Sequence, residues 1–285
     1  MTSRVRFDAA LCTETVPLHV QSYGQGAPMV LAHGFGGSCR NFFPQIRALR
    51  ASHQLWVYDA RGHARSGTPR TAEAHAWPCL VGDFGRVVGS ATRHSSSQTV
   101  LAGGLSLGAA TALFWAIQNR TRTRGLVLAA YPDSTDEMRN WAAHFARSIE
   151  CLGIDQAGQE CVWGDHGRFQ TSDAQLVRRG FLEHRPASLA AILRFSLGKI
   201  PDIAQLDSEL RGLRVPTLVV VGANDAPSLR ASHRLVELLP EARLAIISDA
   251  GHVANLSQPG DFNRHVVEFA QHCAQIRLPL TPNQA

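Results

Sequence analysis

The most constraining feature of this chain is a serine between two glycines, in Gly104-Leu105-Ser106-Leu107-Gly108. Residues 99–103 before it are apolar and β-prone, whereas residues 109–118 after it are rich in helix formers. The pattern predicts a sharp strand-to-helix turn on Ser106, which drives that residue toward positive φ while the glycines relieve backbone crowding. Because so short a pattern also occurs in ordinary glycine-rich turns, the rest of the chain must decide what the serine does.

Apolar runs alternate with helix-like stretches along most of the chain. Runs bounded by turn residues predict strands at 18–23, 28–32, 54–58, 99–103, 125–130, 217–222 and 243–248. Helical stretches are predicted at 42–49, 80–91, 107–118, 229–239 and 259–275. This alternation predicts an α/β fold, a doubly wound and mostly parallel sheet with helices on both faces. The segments before Gly24 are expected to form an antiparallel hairpin at the sheet edge.

The alternation breaks in one long segment. Residues 133–211 contain helix-like pieces, at 137–152, 172–181 and 187–197, without a convincing strand. We expect an inserted helical cap at 133–211, between a first part of the core at 1–132 and a second part at 212–285.

Composition excludes several classes of partner. The chain has 285 residues, of which 45% are hydrophobic and 18% charged, as in a folded globular protein. Its net charge of +5 comes from scattered arginines without interleaved aromatics, so no nucleic-acid partner is expected. The uncharged stretch 99–118 is about as long as a membrane span, but its three glycines favour a strand, a turn and a helix, and no membrane segment is expected.

The N-terminal residues and the cysteines indicate the cellular compartment that we expect for the protein. Residues 1–8 lack the apolar core of a signal peptide, so a cytoplasmic protein is expected. Six widely spaced cysteines form no Cys-x-x-Cys pair, so we expect reduced, mostly buried thiols. No metal and no cofactor are expected. The expected partner is a small-molecule substrate, and the sequence does not decide whether the chain forms a homodimer.

A serine hydroxyl becomes a strong nucleophile only when a base takes its proton, and the base needs an acid to hold its tautomer. In a doubly wound sheet these groups arrive at the carboxyl ends of strands. His252 follows the last predicted strand directly, in Asp249-Ala250-Gly251-His252. A loop histidine is more often a solvated surface residue. Because Ser106 needs a base and both residues follow predicted strands, we predict that His252 is the base.

Asp225 follows the strand at 217–222, which makes it the leading candidate for the acid. The chain order Ser, Asp, His also fits a serine hydrolase on such a sheet. An aspartate there could instead cap the next helix. Asp133 is the alternative acid, and Asp249 lies too near His252 along the chain to reach around the ring easily.

Attack on a carbonyl creates an oxyanion, which needs backbone N–H donors. One donor is expected at Leu107, directly after the serine at the helix start. The other is expected at Phe35, in the glycine-rich loop His33-Gly34-Phe35-Gly36-Gly37 that follows the second strand. No phosphate-binding glycine pattern is present that would favour a nucleotide there.

Together these motifs resemble α/β-hydrolase fold proteins with a helical cap. The resemblance rests on residues 33–38, on Asp59-Ala60-Arg61-Gly62-His63 with Ser66-Gly67, on 104–108, on Asp225 and on Gly251-His252. It implies a triad of Ser106, Asp225 and His252 with a two-amide oxyanion hole. It also implies that the Asp59 motif is a structural turn, in which Ala64 replaces the usual glycine.

The detailed pattern is most similar to 3-oxoadipate enol-lactonases and related esterases. The resemblance implies a serine hydrolase of a small carboxylic ester or lactone that works through an acyl-enzyme. Carbon–carbon bond hydrolases usually carry Asn where Leu105 stands, and epoxide hydrolases and dehalogenases carry Asp where Ser106 stands. A diketone hydrolase or thioesterase with the same triad stays as an alternative, and a lyase or ligand-binding member is a weaker one.

The substrate-binding residues are not identifiable from the sequence. Trp141, Phe145 and Trp163 are the cap candidates, although aromatics at helical spacing usually belong to a core. An arginine of the cap that reached inward would favour a carboxylated substrate.

Overall fold

A seven-stranded sheet organises the residues that the computed structural model describes, which are 12, 14–132, 134–164 and 171–276. Its strands are β1 (Val20–Tyr23), β2 (Ala27–Ala32), β3 (His53–Tyr58), β4 (Val100–Leu105), β5 (Thr123–Ala129), β6 (Thr217–Gly222) and β7 (Ala242–Ile247). Each lies where an apolar run predicts a strand. The order across the sheet is β1-β3-β2-β4-β5-β6-β7. The predicted α/β fold with a mostly parallel sheet is confirmed.

β1 lies at the sheet edge, as predicted, whereas the hairpin predicted before Gly24 falls partly on residues 1–11 and 13, which lie outside the described residues. β1 pairs antiparallel with β3, from Val20 opposite Tyr58 to Tyr23 opposite Leu55. β2 instead takes parallel partners on both sides, β3 and β4. Because both of its edges are occupied, β2 has no edge left for the strand that precedes it in sequence.

Helices cover both faces of the sheet. The helices outside the long insertion are α1 (Phe43–Leu49), α2 (Trp77–Arg93), α3 (Leu107–Gln118), α9 (Ala226–Leu238), α10 (Ala254–Ser257) and α11 (Pro259–Gln275). α3 is buried along almost its whole length, which explains why it carries no charged side chain. Within the described ranges, no helix is long and apolar enough to cross a membrane.

Five further helices lie between β5 and β6 within the described residues. They are α4 (Asp136–Leu152), α5 (Ile154–Gly158), α6 (Thr171–Phe181), α7 (Pro186–Phe195) and α8 (Asp207–Arg211). α4 and α7 pack on each other, and α6 lies against α10. A wider helical turn at Gln159–Trp163 follows α5. The three helices predicted here are present, whereas the short α5 and α8 carry no periodicity long enough to predict.

The expectation of six reduced thiols is wrong for two cysteines. Cys12 and Cys79 form a disulfide with a Cα–Cα distance of 5.2 Å, within the usual range. The two are 67 residues apart in sequence, so their spacing does not reveal that Cys12 lies against the first turn of α2. The other cysteines are free, with Cys39, Cys161 and Cys273 buried and Cys151 exposed.

Candidate active site

Ser106 occupies the sharp turn between β4 and α3 that its flanking glycines predict. Its backbone lies at φ 54° and ψ −118°, a strained conformation for a residue with a Cβ. The strain is held by two hydrogen bonds. The Ser106 N–H donates to the Ala129 carbonyl at 2.8 Å, and the Ser106 carbonyl accepts from the Ala110 N–H at 3.1 Å.

The two glycines are required because the turn packs directly against the end of β2. A Cβ on Gly108 would lie 2.0 Å from the Ala32 carbonyl oxygen. One on Gly104 would lie 2.6 Å from the same oxygen and 2.4 Å from the Gly108 carbonyl carbon. The turn and the loop that follows β2 are therefore in backbone contact, which fixes Ser106 relative to that loop.

Gly108→Ala should destabilise the protein because backbone cannot move aside as a flexible side chain would. We expect the free energy of unfolding to fall by about 1–3 kcal/mol, as for other overpacked sites. Gly82→Ala is the matched control, because Gly82 is an exposed residue of α2 whose added Cβ would have no neighbour within 4 Å. That change should stabilise by about 0.5–1 kcal/mol through helix propensity. Urea unfolding of both variants measures the difference, and equal stabilities would contradict the close packing.

His252 and Asp225 meet where β6 and β7 end side by side. His252 Nδ1 lies 2.6 Å from Asp225 Oδ2, a distance typical of a charge-assisted hydrogen bond. The Asp225 side chain also caps α9, since its Oδ1 accepts from the Ser228 N–H at 3.4 Å. The capping role and the histidine contact foreseen as alternatives for Asp225 thus occur together, one on each carboxylate oxygen.

The environment keeps Asp225 ionised. Burial alone would raise the pKa of this carboxyl, but the charge and hydrogen bond of His252, with the contacts from Ser228, lower it to about 2. The carboxylate accepts the Nδ1–H of His252 and so leaves the lone pair of a neutral ring on Nε2. Nε2 is the nitrogen that a general base at this position would use.

Of the other two candidate acids, the structure describes only Asp249. Asp249 is exposed at the end of β7, where its backbone takes φ 53°. Asp133 lies outside the described residues.

We call residues 33–37 the oxyanion loop, since they hold the predicted donor Phe35. The loop touches the serine, because a Cβ on Gly34 would lie 3.3 Å from Ser106 Cβ. His33 fixes its first peptide group: His33 Nε2 accepts from the Ala60 N–H at 2.9 Å, and Nδ1–H therefore donates to the Gly34 carbonyl at 2.7 Å.

The His33 contact constrains how the Phe35 amide points. In a trans peptide the N–H is opposite the carbonyl, so the Phe35 N–H points away from His33. Within the described part of the chain, neither this N–H nor that of Leu107 donates to a protein acceptor. Burial lowers the pKa of His33 to about 4, so its ring is neutral at pH 7 and keeps this tautomer.

A cavity that is partly open to solvent joins Ser106 and His252 to the oxyanion loop. The remaining walls are mostly aliphatic and aromatic side chains: Leu105, Met138, Trp141, Val162, Val177, Phe181, Leu197 and Val253. Asn41 adds a side-chain amide. A mostly apolar lining with few polar groups is typical of a small-molecule site.

The three cap candidates take different positions. Trp141 lines the cavity, and its Nε1–H donates to the Cys161 carbonyl at 3.2 Å. Phe145 is fully buried, with its ring 5.4 Å from that of Trp141. Trp163 packs across Gly158 and lies 5.6 Å from the Phe181 ring. Of the three, only Trp141 reaches the cavity.

Several lining residues escaped the sequence reasoning. Met138, Val177 and Leu197 are apolar residues at helical spacing. Nothing in the sequence distinguishes a helix face that lines a cavity from one that packs in a core. Val253 could have been found, since it directly follows His252.

The described residues that line the cavity include no Asp, Glu, Lys or Arg. Described arginines of the cap region form exposed ion pairs instead, Arg139 with Asp136, Arg178 with Asp155 and Arg194 with Glu150. The inward-reaching arginine that would favour a carboxylated substrate is therefore not among the described residues.

His19, Cys39 and Asp59 are close enough to share a metal ion, with ligand atoms within 4.8 Å of one another. Their chemistry fits an ion pair better. Burial, and then the Asp59 charge, raise the pKa of Cys39 to about 12, which keeps the thiol protonated. The Arg65 guanidinium lies 3.0 Å from both Asp59 Oδ2 and Cys39 Sγ and already supplies the positive charge.

Known proteins are similar to this chain over most of its length. A family model described as "Alpha/beta hydrolase family" matches residues 29–265. The chain is 25% identical to 3-oxoadipate enol-lactonase 2 of Acinetobacter baylyi, over 92% of this chain and 96% of that protein. It is 26% identical to the pimeloyl-acyl-carrier-protein methyl ester esterase of Aeromonas hydrophila, over 89% of this chain and 97% of that protein.

A solved structure shares the fold. A thermophilic esterase from Thermogutta terrifontis matches with a TM-score of 0.76 and 24% identity, over 92% of this chain and 97% of that one. Enol-lactonases and esterases, which the sequence motifs resemble, are thus among the proteins similar to this chain.

Proposed function

Because the chain belongs to the alpha/beta hydrolase family, we propose that it hydrolyses a small carboxylic ester or lactone through an acyl-enzyme. Ser106 is the nucleophile, His252 the base, and Asp225 the acid that orients His252. The observation that carries the proposal is the 2.6 Å bond between His252 and Asp225, beside a cavity that His252 and the strained Ser106 both line.

Acylation begins when Ser106 Oγ attacks the substrate carbonyl carbon while His252 Nε2 takes the hydroxyl proton. The carbonyl oxygen becomes an oxyanion, which accepts hydrogen bonds from the Phe35 and Leu107 N–H groups. Collapse of this intermediate breaks the bond to the alcohol oxygen, which receives the proton from His252. In a lactone the released alcohol stays attached to the acyl group.

Deacylation repeats these steps with water. His252 removes a proton from the water as its oxygen attacks the acyl carbon, and the second oxyanion uses the same two amides. When the ester bond to Ser106 breaks, His252 returns the proton to Oγ and the carboxylic acid leaves.

The cavity favours a neutral substrate. A carboxylate moved from water into walls of this kind would lose its hydration without gaining a charged partner among the described residues. The proposed substrate is therefore an ester or lactone with an uncharged, mostly apolar acyl group. Among the described lining residues, Asn41 is the one that carries a side-chain amide.

Two p-nitrophenyl esters of similar size test this preference. We expect kcat/KM for the pentanoate to exceed that for the hemisuccinate, whose acyl chain ends in a carboxylate, by about tenfold or more, since 1.4 kcal/mol of desolvation suffices for that factor. Subtracting the rate of Ser106→Ala removes hydrolysis outside the site. Equal values would contradict the neutral-substrate assignment. Turnover of a vinylogous diketone with little turnover of either ester would instead favour carbon–carbon bond hydrolysis.

A further inference from the structure

The C-terminal end of α6, residues 180–184, contacts the oxyanion loop through successive side chains. Phe181 is the first: a Cβ on Gly36 would lie 2.4 Å from its ring, and Gly36 takes φ 67°. The Phe35 ring stands edge-on to Phe181 at 5.4 Å. The loop therefore adopts a glycine-only conformation against a side chain of α6.

Glu183 is the second, and it forms an ion pair with Arg40, just beyond the loop. Both side chains are more than a third exposed, so the pair itself contributes little to stability. The next residue, His184, contacts the loop itself.

His184 is the third and is buried, with 7% of its surface exposed. Its Nε2 lies 3.1 Å from the Gly37 carbonyl oxygen, and its Nδ1 lies 2.8 Å from the Gly180 carbonyl oxygen. The ring also stands edge-on to His63 at 5.2 Å. A neutral imidazole has a single N–H, so the loop and the end of α6 compete for one proton.

Three histidines hold the oxyanion loop by its peptide groups. His33 binds the Gly34 carbonyl at 2.7 Å, and His63 Nε2 accepts from the Gly36 N–H at 3.3 Å. His184 meets the Gly37 carbonyl. The first two histidines follow β2 and β3, whereas His184 follows α6.

We propose that His184 is a positioning residue for the oxyanion loop. In the tautomer that carries its proton on Nε2, His184 donates to the Gly37 carbonyl and ties the loop to the end of α6, so that the orientation of the Phe35 amide depends on the position of α6. This inference rests on the hydrolase function proposed above. Val177 and Phe181 of α6 line the cavity, so a substrate that fills the cavity packs against the helix that carries this contact. Filling the cavity then favours the arrangement in which the amide faces the oxyanion.

Two substitutions of His184 separate positioning from packing. His184→Phe keeps a ring of similar size and loses the donor, whereas His184→Gln keeps a donor. Arg178→Ala is the matched control, because it removes an exposed ion pair of the same helix with Asp155 and leaves the loop contacts intact. Each variant is assayed as the full chain on p-nitrophenyl pentanoate, after its melting temperature is shown to be close to that of the wild type.

Loss of one oxyanion donor typically lowers kcat about 10²–10³-fold, so a misaimed donor in His184→Phe should lower kcat about 10–100-fold with KM within about twofold. Both chemical steps form the oxyanion, so kcat responds whichever step is slower. His184→Gln should recover most of the loss, and Arg178→Ala should match the wild type. Amide hydrogen exchange of a peptide covering residues 34–37 should be faster in His184→Phe than in Arg178→Ala.

An unchanged kcat in folded His184→Phe overturns the proposal, and so does a higher KM at unchanged kcat, which would indicate packing alone. If His184→Phe does not fold, His184→Met takes its place under the same criteria. If the wild type hydrolyses no ester, the proposed function fails, and hydrogen exchange decides about His184: unaltered exchange at 34–37 overturns the positioning role, and faster exchange supports it.

Discussion

Replacing Ser106 by alanine is expected to lower kcat for ester hydrolysis by about 10⁴–10⁶-fold, the range seen when a triad serine is removed. The reason is the covalent step: without Oγ no acyl-enzyme forms, and only binding and the two amides remain. Alanine keeps the Cβ and the positive φ of the turn, so the backbone should not change. The measurement is hydrolysis of p-nitrophenyl pentanoate beside thermal unfolding.

A fluorophosphonate probe gives an independent reading of the same residue. The wild type should be labelled at Ser106, whereas Ser106→Ala should not be labelled. Ser232→Ala is the control, since this buried serine of α9 does not line the cavity and its loss should leave labelling and turnover unchanged. Wild-type turnover by Ser106→Ala would rule out the serine mechanism, and an unlabelled, folded wild type would favour a ligand-binding role.

Asp225→Asn is the second large effect, with an expected decrease in kcat of about 10⁴-fold. An asparagine amide cannot accept the Nδ1–H with the strength of a carboxylate, and its own N–H group stabilises the ring with the lone pair on Nδ1. His252 would then hold its proton on Nε2, where it cannot act as the base. Asparagine is also a good helix cap, so α9 should keep its start and the loss should appear in kcat rather than in stability.

The other two aspartates decide whether the acid is assigned correctly. Asp249→Asn changes an exposed carboxylate on the loop that leads to His252 and should leave kcat near that of the wild type. Asp133→Asn tests the alternative acid foreseen from the sequence. If Asp133→Asn abolishes turnover while Asp225→Asn retains it, the acid is Asp133 and Asp225 is a helix cap alone.

The central strands of the sheet were predictable because they are buried on both faces. β6 is apolar after Thr217 and buried at every position, so its bounds at 217–222 follow directly from the residues. The same logic located Ser106, Asp225 and His252, since all three follow predicted strands and parallel strands share one carboxyl edge. The glycines on either side of Ser106 were a further signal, because glycine is needed where two backbone segments pack closely together.

Contacts between distant segments were not predictable in this way. The pairing of β1 with β3 depends on which edges the central strands leave open, and the Cys12–Cys79 disulfide joins segments that share no pattern. The spacing of apolar residues predicts that α4 is a helix with one apolar side. It does not show that, on this helix, Trp141 lines the cavity while Phe145 is buried beside it. His184 resembled any histidine after a helix.

The contact of Gly104 and Gly108 with the Ala32 carbonyl has a consequence for how such a protein can diversify. That junction leaves no room for even one added carbon, so the stretch that carries the proposed chemistry tolerates almost no variation. Met138, Val162, Val177 and Leu197, by contrast, are exchangeable apolar residues from the stretch between β5 and β6. Laboratory evolution of new substrate preferences should therefore draw its libraries from these wall positions and keep residue 184 as histidine.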